Sequence, residues 1–221
     1  MKKPEESSRW NISLLLMLMA GFCLGMSVFR YYISETKIFL FLNKNLLLAC
    51  IPFVISSYLV IRNIRSKVLL GIAITMWVLF FPNSPYIFTD LLHLKMRSPV
   101  PLWYDLIMIL SFAWTGLIFG FASLNDIKDL LRDHFNRYTV NILAVFLLFL
   151  NGFGVYLGRF LRWNSWDILH DPSGLFNDIT ERCIYPFHHP RTWGMTILMG
   201  VLLNFMHWVI NPERRWAGRK S

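Results

Sequence analysis

Charged residues are scarce in this sequence: they make up 16% of 221 residues, against roughly 25% in an ordinary soluble domain. That deficit excludes a surface exposed to water on all sides. Cysteine is scarcer still, with three residues. Cys23 and Cys50 lie inside apolar stretches and Cys183 stands alone in a long polar one, so neither a disulfide framework nor a thiolate zinc site is available. No nucleic-acid-binding motif is present, and no motif names a cofactor.

What fills the space is apolar, 55% of the chain, and it comes in uncharged runs rather than at a helical period. The runs predict an all-α, polytopic membrane helix bundle: one membrane domain over residues 1–221, with six transmembrane helices near 10–29, 45–61, 68–82, 104–124, 140–160 and 192–210. Most meet the length of about 17–25 residues that a bilayer requires. The third run, Val68 to Phe81, covers only about two thirds of a hydrocarbon core roughly 30 Å thick. It therefore needs the uncharged stretch beyond Pro82, where the helix is expected to break near an interface. Lys2, Lys3 and Arg9 before the first run resemble a secretory signal. No small-x-small cleavage site follows, however, and Phe22 before Cys23 does not fit a lipobox, so the run is read as an anchor.

With six spans, the amino terminus, loop 62–67, loop 125–139 and the carboxyl terminus share one side and carry thirteen Lys and Arg, against nine in the longer loops opposite. The positive-inside rule places both termini in the cytoplasm. The basic ends, Lys2/Lys3 and Arg214/Arg215/Arg219/Lys220, then meet anionic headgroups, which accounts for the net charge of +9 without nucleic acid. Trp10, Trp103, Trp163, Trp193 and Trp208 fall near span ends, as an aromatic belt requires. The bilayer is the first partner, and other membrane proteins are conceivable ones. In loop 125–139, His134 with Asp126, Asp129 and Asp133 reads as solvated surface.

The two longest loops, 82–105 and 159–191, land on the extracytoplasmic side, and a site is expected there. In the first, Asn83 or Ser84 is placed to cap a short helix with Pro85 in its first turn. Thr89, Asp90, His93 and Arg97 would form its polar face, and Ile87, Leu91 and Leu94 an apolar one, as in a helix lying in the interface. Asp90 and His93, spaced i, i+3, suit a metal or an imidazole oriented by a carboxylate, although a solvated polar face also explains them.

In the second loop, Arg159 and Arg162 end the fifth span, where long side chains snorkel to the interface and can hold a carboxylate or a phosphate. With Asp167 they form either a binding cluster or an internal salt-bridge network. Asp167-Ile-Leu-His170 echoes Asp90-Leu-Leu-His93, a ligand set compatible with Zn²⁺ or Mn²⁺, but the match is too short for a repeat, and no metal site is assigned. Asn151, Gly154 and Gly158 share a stripe along which another helix can approach. After the turn signal Asp171-Pro172-Ser173-Gly174, a second interfacial helix sets Leu175, Phe176, Ile179 and Cys183 opposite Asn177, Asp178, Glu181 and Arg182. His188 and His189 point apart. Asn204 and His207 in the last span are polar enough to face the bundle.

Pro82-Asn83-Ser84-Pro85-Tyr86, Thr89-Asp90-Leu91, Pro101-Leu102-Trp103-Tyr104-Asp105 and the run Gly158 to Asp167 resemble the signature stretches of a bacterial integral membrane family, domain of unknown function 1361. The resemblance spans the chain from about the second membrane helix to the last. It implies a bacterial plasma membrane location and brings no activity, substrate or catalytic residue with it.

The functional expectation from the residues is an extracytoplasmic site for a phosphate-bearing or lipid-linked ligand. Asp90, His93 and Asp167 are its candidate catalytic groups, and Asn83, Asp105, Arg159, Arg162 and Asn164 its ligand contacts. The alternatives are a non-catalytic accessory or scaffold protein and a small transporter component.

Overall fold

The computed structural model describes residues 4–62, 64, 66–95 and 99–211. Arg97 and the basic residues Lys2, Lys3, Arg214, Arg215, Arg219 and Lys220 lie outside them. The chain forms two compact units, up to Asp126 and from Ile127 onward. Among the described residues, six helical stretches are long and apolar enough to cross a membrane. The expected helix bundle is borne out.

The first unit holds α1 (Pro4–Ser34), α2 (Phe41–Ile61), α3 (Lys67–Phe80), the single turn α4 (Asn83–Tyr86), a 3₁₀ segment over Ile87–His93, and most of α5 (Leu102–Arg132). Both α1 and α5 outrun the expected spans, and ionic pairing explains it. Arg30 on α1 donates to both carboxylate oxygens of Asp105 on α5, at 2.9 and 3.2 Å, and both side chains are buried. At the far ends of the same helices, Arg9 donates to both oxygens of Asp126 at 2.9 Å. Arg9 and Arg30 are 21 residues apart, as are Asp105 and Asp126, a separation of about 31 Å along a helix and so close to the thickness of a hydrocarbon core. The two helices thus run antiparallel, tied at both ends. Between the ties the packing is apolar, through Leu16, Met108, Ile109, Phe112 and Ala113, with one intermediate contact from Cys23 Sγ to Thr115 Oγ1 at 3.4 Å. Asp126, expected as solvated surface, is instead bound by Arg9 and by the Ser56 hydroxyl at 2.8 Å.

The break at Pro82 occurs as predicted, but the capping differs. Asn83 is the first residue of α4 and does not cap it. Its amide donates to the Phe80 carbonyl at 2.9 Å and so satisfies a group that the break would orphan. Ser84 is wholly buried, and its hydroxyl donates to Ala49 O of α2 at 3.2 Å. On α5, Gly116 and Gly120 leave room for it: a Cβ at Gly116 would stand 2.8 Å from Ser84 O, and one at Gly120 would stand 2.7 Å from Ser84 Cβ. The broken segment is thus packed into protein, which is how a membrane tolerates irregular backbone.

The second unit holds the end of α5, α6 (Arg137–Phe160), the turn α7 (Asp167–His170), α8 (Pro172–Ile184), a 3₁₀ turn over Pro186–His188, and α9 (Pro190–Ile210). The Asn136 side chain caps α6 by accepting from Thr139 N at 2.8 Å. In this unit α6 and α9 pack at Gly152, where a Cβ would meet Thr196 O at 2.8 Å, and at Gly200 against Phe149. This pair lies off the stripe of Asn151, Gly154 and Gly158 singled out in the sequence. The turn signal at 171–174 proves to be the start of α8: Asp171 accepts from Gly174 N at 2.9 Å, with Pro172 in the first turn. On α8, Leu175 and Ile179 are half-buried and Asn177 and Glu181 exposed, as expected, whereas Phe176 and Cys183 are exposed and Arg182 is buried. Trp163 and Trp193 do more than float at the interface. Their indoles donate to Asp178 Oδ2 at 2.7 Å and to Arg182 O at 3.0 Å, tying α8 to the ends of α6 and α9.

Candidate functional site

Of the polar groups in the first unit, Asp90 has the least usual surroundings. The 3₁₀ geometry of Ile87–His93 places residues three apart in line, so Asp90 and His93 project to one side, closer than an α-helix would bring them. The expected exposure holds only in part. Ile87 is buried, Leu91 and Leu94 pack against the same core and His93 is accessible, but Thr89 and Asp90 are buried as well, and the outward side chain is Leu92, 68% exposed. Asn45 of α2 donates its amide to Asp90 Oδ2 at 2.8 Å. His93 Nδ1 stands 3.9 Å from Oδ1, too long for a hydrogen bond but within reach of an ionic interaction when the ring is protonated. The ring is packed at 5.2 Å from that of Phe41, and 45% of its side chain is accessible. A sealed carboxylate with an accessible imidazole beside it is an arrangement suited to passing a proton or holding a cation. Among the described residues no group of three or more His, Cys, Asp and Glu gathers as a metal cage.

Asp105, expected as a ligand contact, is held by Arg30, whose remaining donors reach Ser34 and Thr36 hydroxyls at 2.8 Å and whose guanidinium lies 4.7 Å above the Phe39 ring. Asn83 serves the backbone, as described above. In the second unit Arg159 is half-buried in the last turn of α6, and Arg162 just beyond it is exposed with a left-handed backbone, φ 65°. Asp167 Oδ2 accepts from Asn164 N at 2.6 Å and from its amide at 3.0 Å, closing the turn that carries α7. His170 is exposed. His188 stacks on Tyr185 and His189 lies 3.3 Å from Glu181, so the adjacent imidazoles do serve different partners.

Sequence reasoning missed Asn45, Arg30 and the pairing role of Arg9. The signal that could have found the arginines was their 21-residue spacing, matched by Asp105 and Asp126. Gly116-x-x-x-Gly120 was similarly legible as a close-approach motif. Asn45 carried no signal, because a lone amide at the start of an apolar run has many uses.

A family model described as "Protein of unknown function (DUF1361)" matches residues 44–206, in agreement with the resemblance read from the signature stretches. No curated protein and no solved structure matches the chain.

Proposed function

The chain belongs to this family of unknown function, and from that premise we propose that it is a multi-pass plasma membrane protein that binds a phosphate-bearing, lipid-linked ligand on the extracytoplasmic side and exchanges a proton with it through His93. The observation that carries this reading is the buried Asp90 carboxylate, fixed by Asn45 and faced by the accessible His93 ring. A buried carboxylate in a span is costly unless paired, and ionisable groups placed there mark functional positions by default. Asp90 would hold the protonated ring, and the ring's accessible edge would face the ligand. Orientation comes from the excess of Lys and Arg in the loops opposite. In the second unit Arg159 and Arg162 supply guanidinium groups at a helix end, a geometry that suits phosphate, and each is proposed as an anion contact in its own right.

The test is equilibrium binding of a short-chain prenyl phosphate to the full protein in nanodiscs. His93→Ala is expected to weaken binding by about tenfold or more, the loss of one charge-assisted hydrogen bond worth about 1.5–3 kcal/mol, and Arg162→Ala to do the same. Equal affinity in wild type and both variants overturns the proposal.

A further inference from the structure

A second polar site lies in the second unit, at the end opposite the outer loops. The last turns of α5, the first turns of α6 and the end of α9 enclose a pocket of about 330 Å³. Its cationic wall is Lys128, Arg132 and Arg137; its apolar wall includes Val145 and Leu148. Asp129 pairs with Arg132 at 2.8 Å from outside the pocket, and no carboxylate is among the residues that line it. Tyr138 and Trp208 stand at the rim, 76% and 44% exposed, where amphipathic rings meet the headgroup layer.

The pocket is deep as well as basic. From Asn211 at the helix end to Asn204 is seven residues, about 10 Å along α9, so the pocket passes from the headgroup level into the hydrocarbon. Asn204 is 95% buried; its amide donates to Gly200 O at 2.8 Å, and its Oδ1 has no hydrogen-bond partner. A buried acceptor left open in lipid calls for a donor, and a glycerol hydroxyl is one. Cations at the rim, an unmet acceptor below them and aliphatic walls beside both match one class of molecule in order of depth: an anionic glycerophospholipid, with its phosphate at the rim and its acyl chain against α6.

We infer that the pocket formed by Lys128, Arg132, Arg137, Asn204 and Leu148 is a binding site for an anionic phospholipid of the inner leaflet. Free phosphate does not account for the aliphatic wall, and a zwitterionic lipid carries no net charge to match a lining with three basic side chains and no acidic one. The site shares no residue with the outer Asp90–His93 pair, so either can fail alone.

The experiment is native mass spectrometry of the full chain equilibrated in micelles with phosphatidylglycerol or with phosphatidylcholine of the same acyl chains. The expected result is one retained phosphatidylglycerol and little phosphatidylcholine. The Lys128→Gln, Arg137→Gln double variant is expected to lose about thirtyfold in phosphatidylglycerol affinity, or about 2 kcal/mol for two headgroup contacts. Because Lys128 is buried, Arg137→Gln alone is the second variant, with about a fivefold loss at an exposed position. Leu148→Trp, which fills the aliphatic end, is expected to displace the lipid without changing charge. Equal retention of the two lipids, or unchanged retention in Arg137→Gln and Leu148→Trp, overturns the assignment.

Discussion

Arg30→Met is expected to destabilise the protein by about 3–5 kcal/mol, a large part of the stability of a single domain, and to be seen as a collapse in the yield of monodisperse protein in detergent. The magnitude follows from burial. The Arg30 and Asp105 side chains are 3% and 1% accessible, so removing the cation strands a carboxylate where water does not reach and, among the described residues, no other side chain donates to it. The pair itself is not the main source of stability, since two desolvated charges repay little more than their burial costs. Arg30→Met combined with Asp105→Leu is therefore expected to recover most of the yield, because nothing charged is then left unpaired. A single variant as stable as wild type would mean that Asp105 has another partner. Arg9→Met is expected to cost much less: its side chain is 25% accessible, and Asp126 keeps the Ser56 hydroxyl.

Gly152→Leu carries the next largest effect. A Cβ there would stand 2.8 Å from the Thr196 carbonyl, a backbone atom that cannot swing aside, so α6 and α9 must separate along their length. Overpacking of this kind costs about 1–3 kcal/mol and more where backbone must move. Helix association in lipid rests on such close packing, because no hydrophobic force holds the helices together. Thermal unfolding in detergent should show a marked fall in midpoint. Gly25→Leu is the control: no atom lies within 4 Å of a Cβ at that position, and its midpoint is expected to stay near that of wild type. Equal effects at the two positions would show that α6 and α9 do not pack as described.

These two positions also show how much a sequence of this kind discloses. The existence of six spans follows from uncharged length alone, and Pro82 marks the break in the third because proline cannot continue the hydrogen-bond ladder. Span ends were less legible. Charge normally ends an apolar run, yet α1 continues through Arg30 and α5 through Asp105 and Asp126, because each charge is neutralised by one on the other helix. Amphipathic spacing over 87–93 predicts a solvated polar face, yet only His93 of that face is accessible; Thr89 and Asp90 are buried against protein, as is Ile87 from the apolar face. The pairing of Asp90 with His93 was visible in the i, i+3 spacing. The Asn45 contact was not, since it depends on how α2 meets the broken segment.

The central claim, a proton-exchanging site at Asp90 and His93 open to the extracytoplasmic side, is tested most directly by thiol accessibility in intact cells. With Cys23, Cys50 and Cys183 replaced by serine, His93→Cys and Asp133→Cys are each treated with a membrane-impermeant maleimide before and after permeabilisation. The account predicts that the cysteine at position 93 is labelled in intact cells and that the one at position 133 is labelled only once the membrane is opened. Labelling at position 133 alone in intact cells would reverse the orientation, and no labelling at position 93 under either condition would close the site.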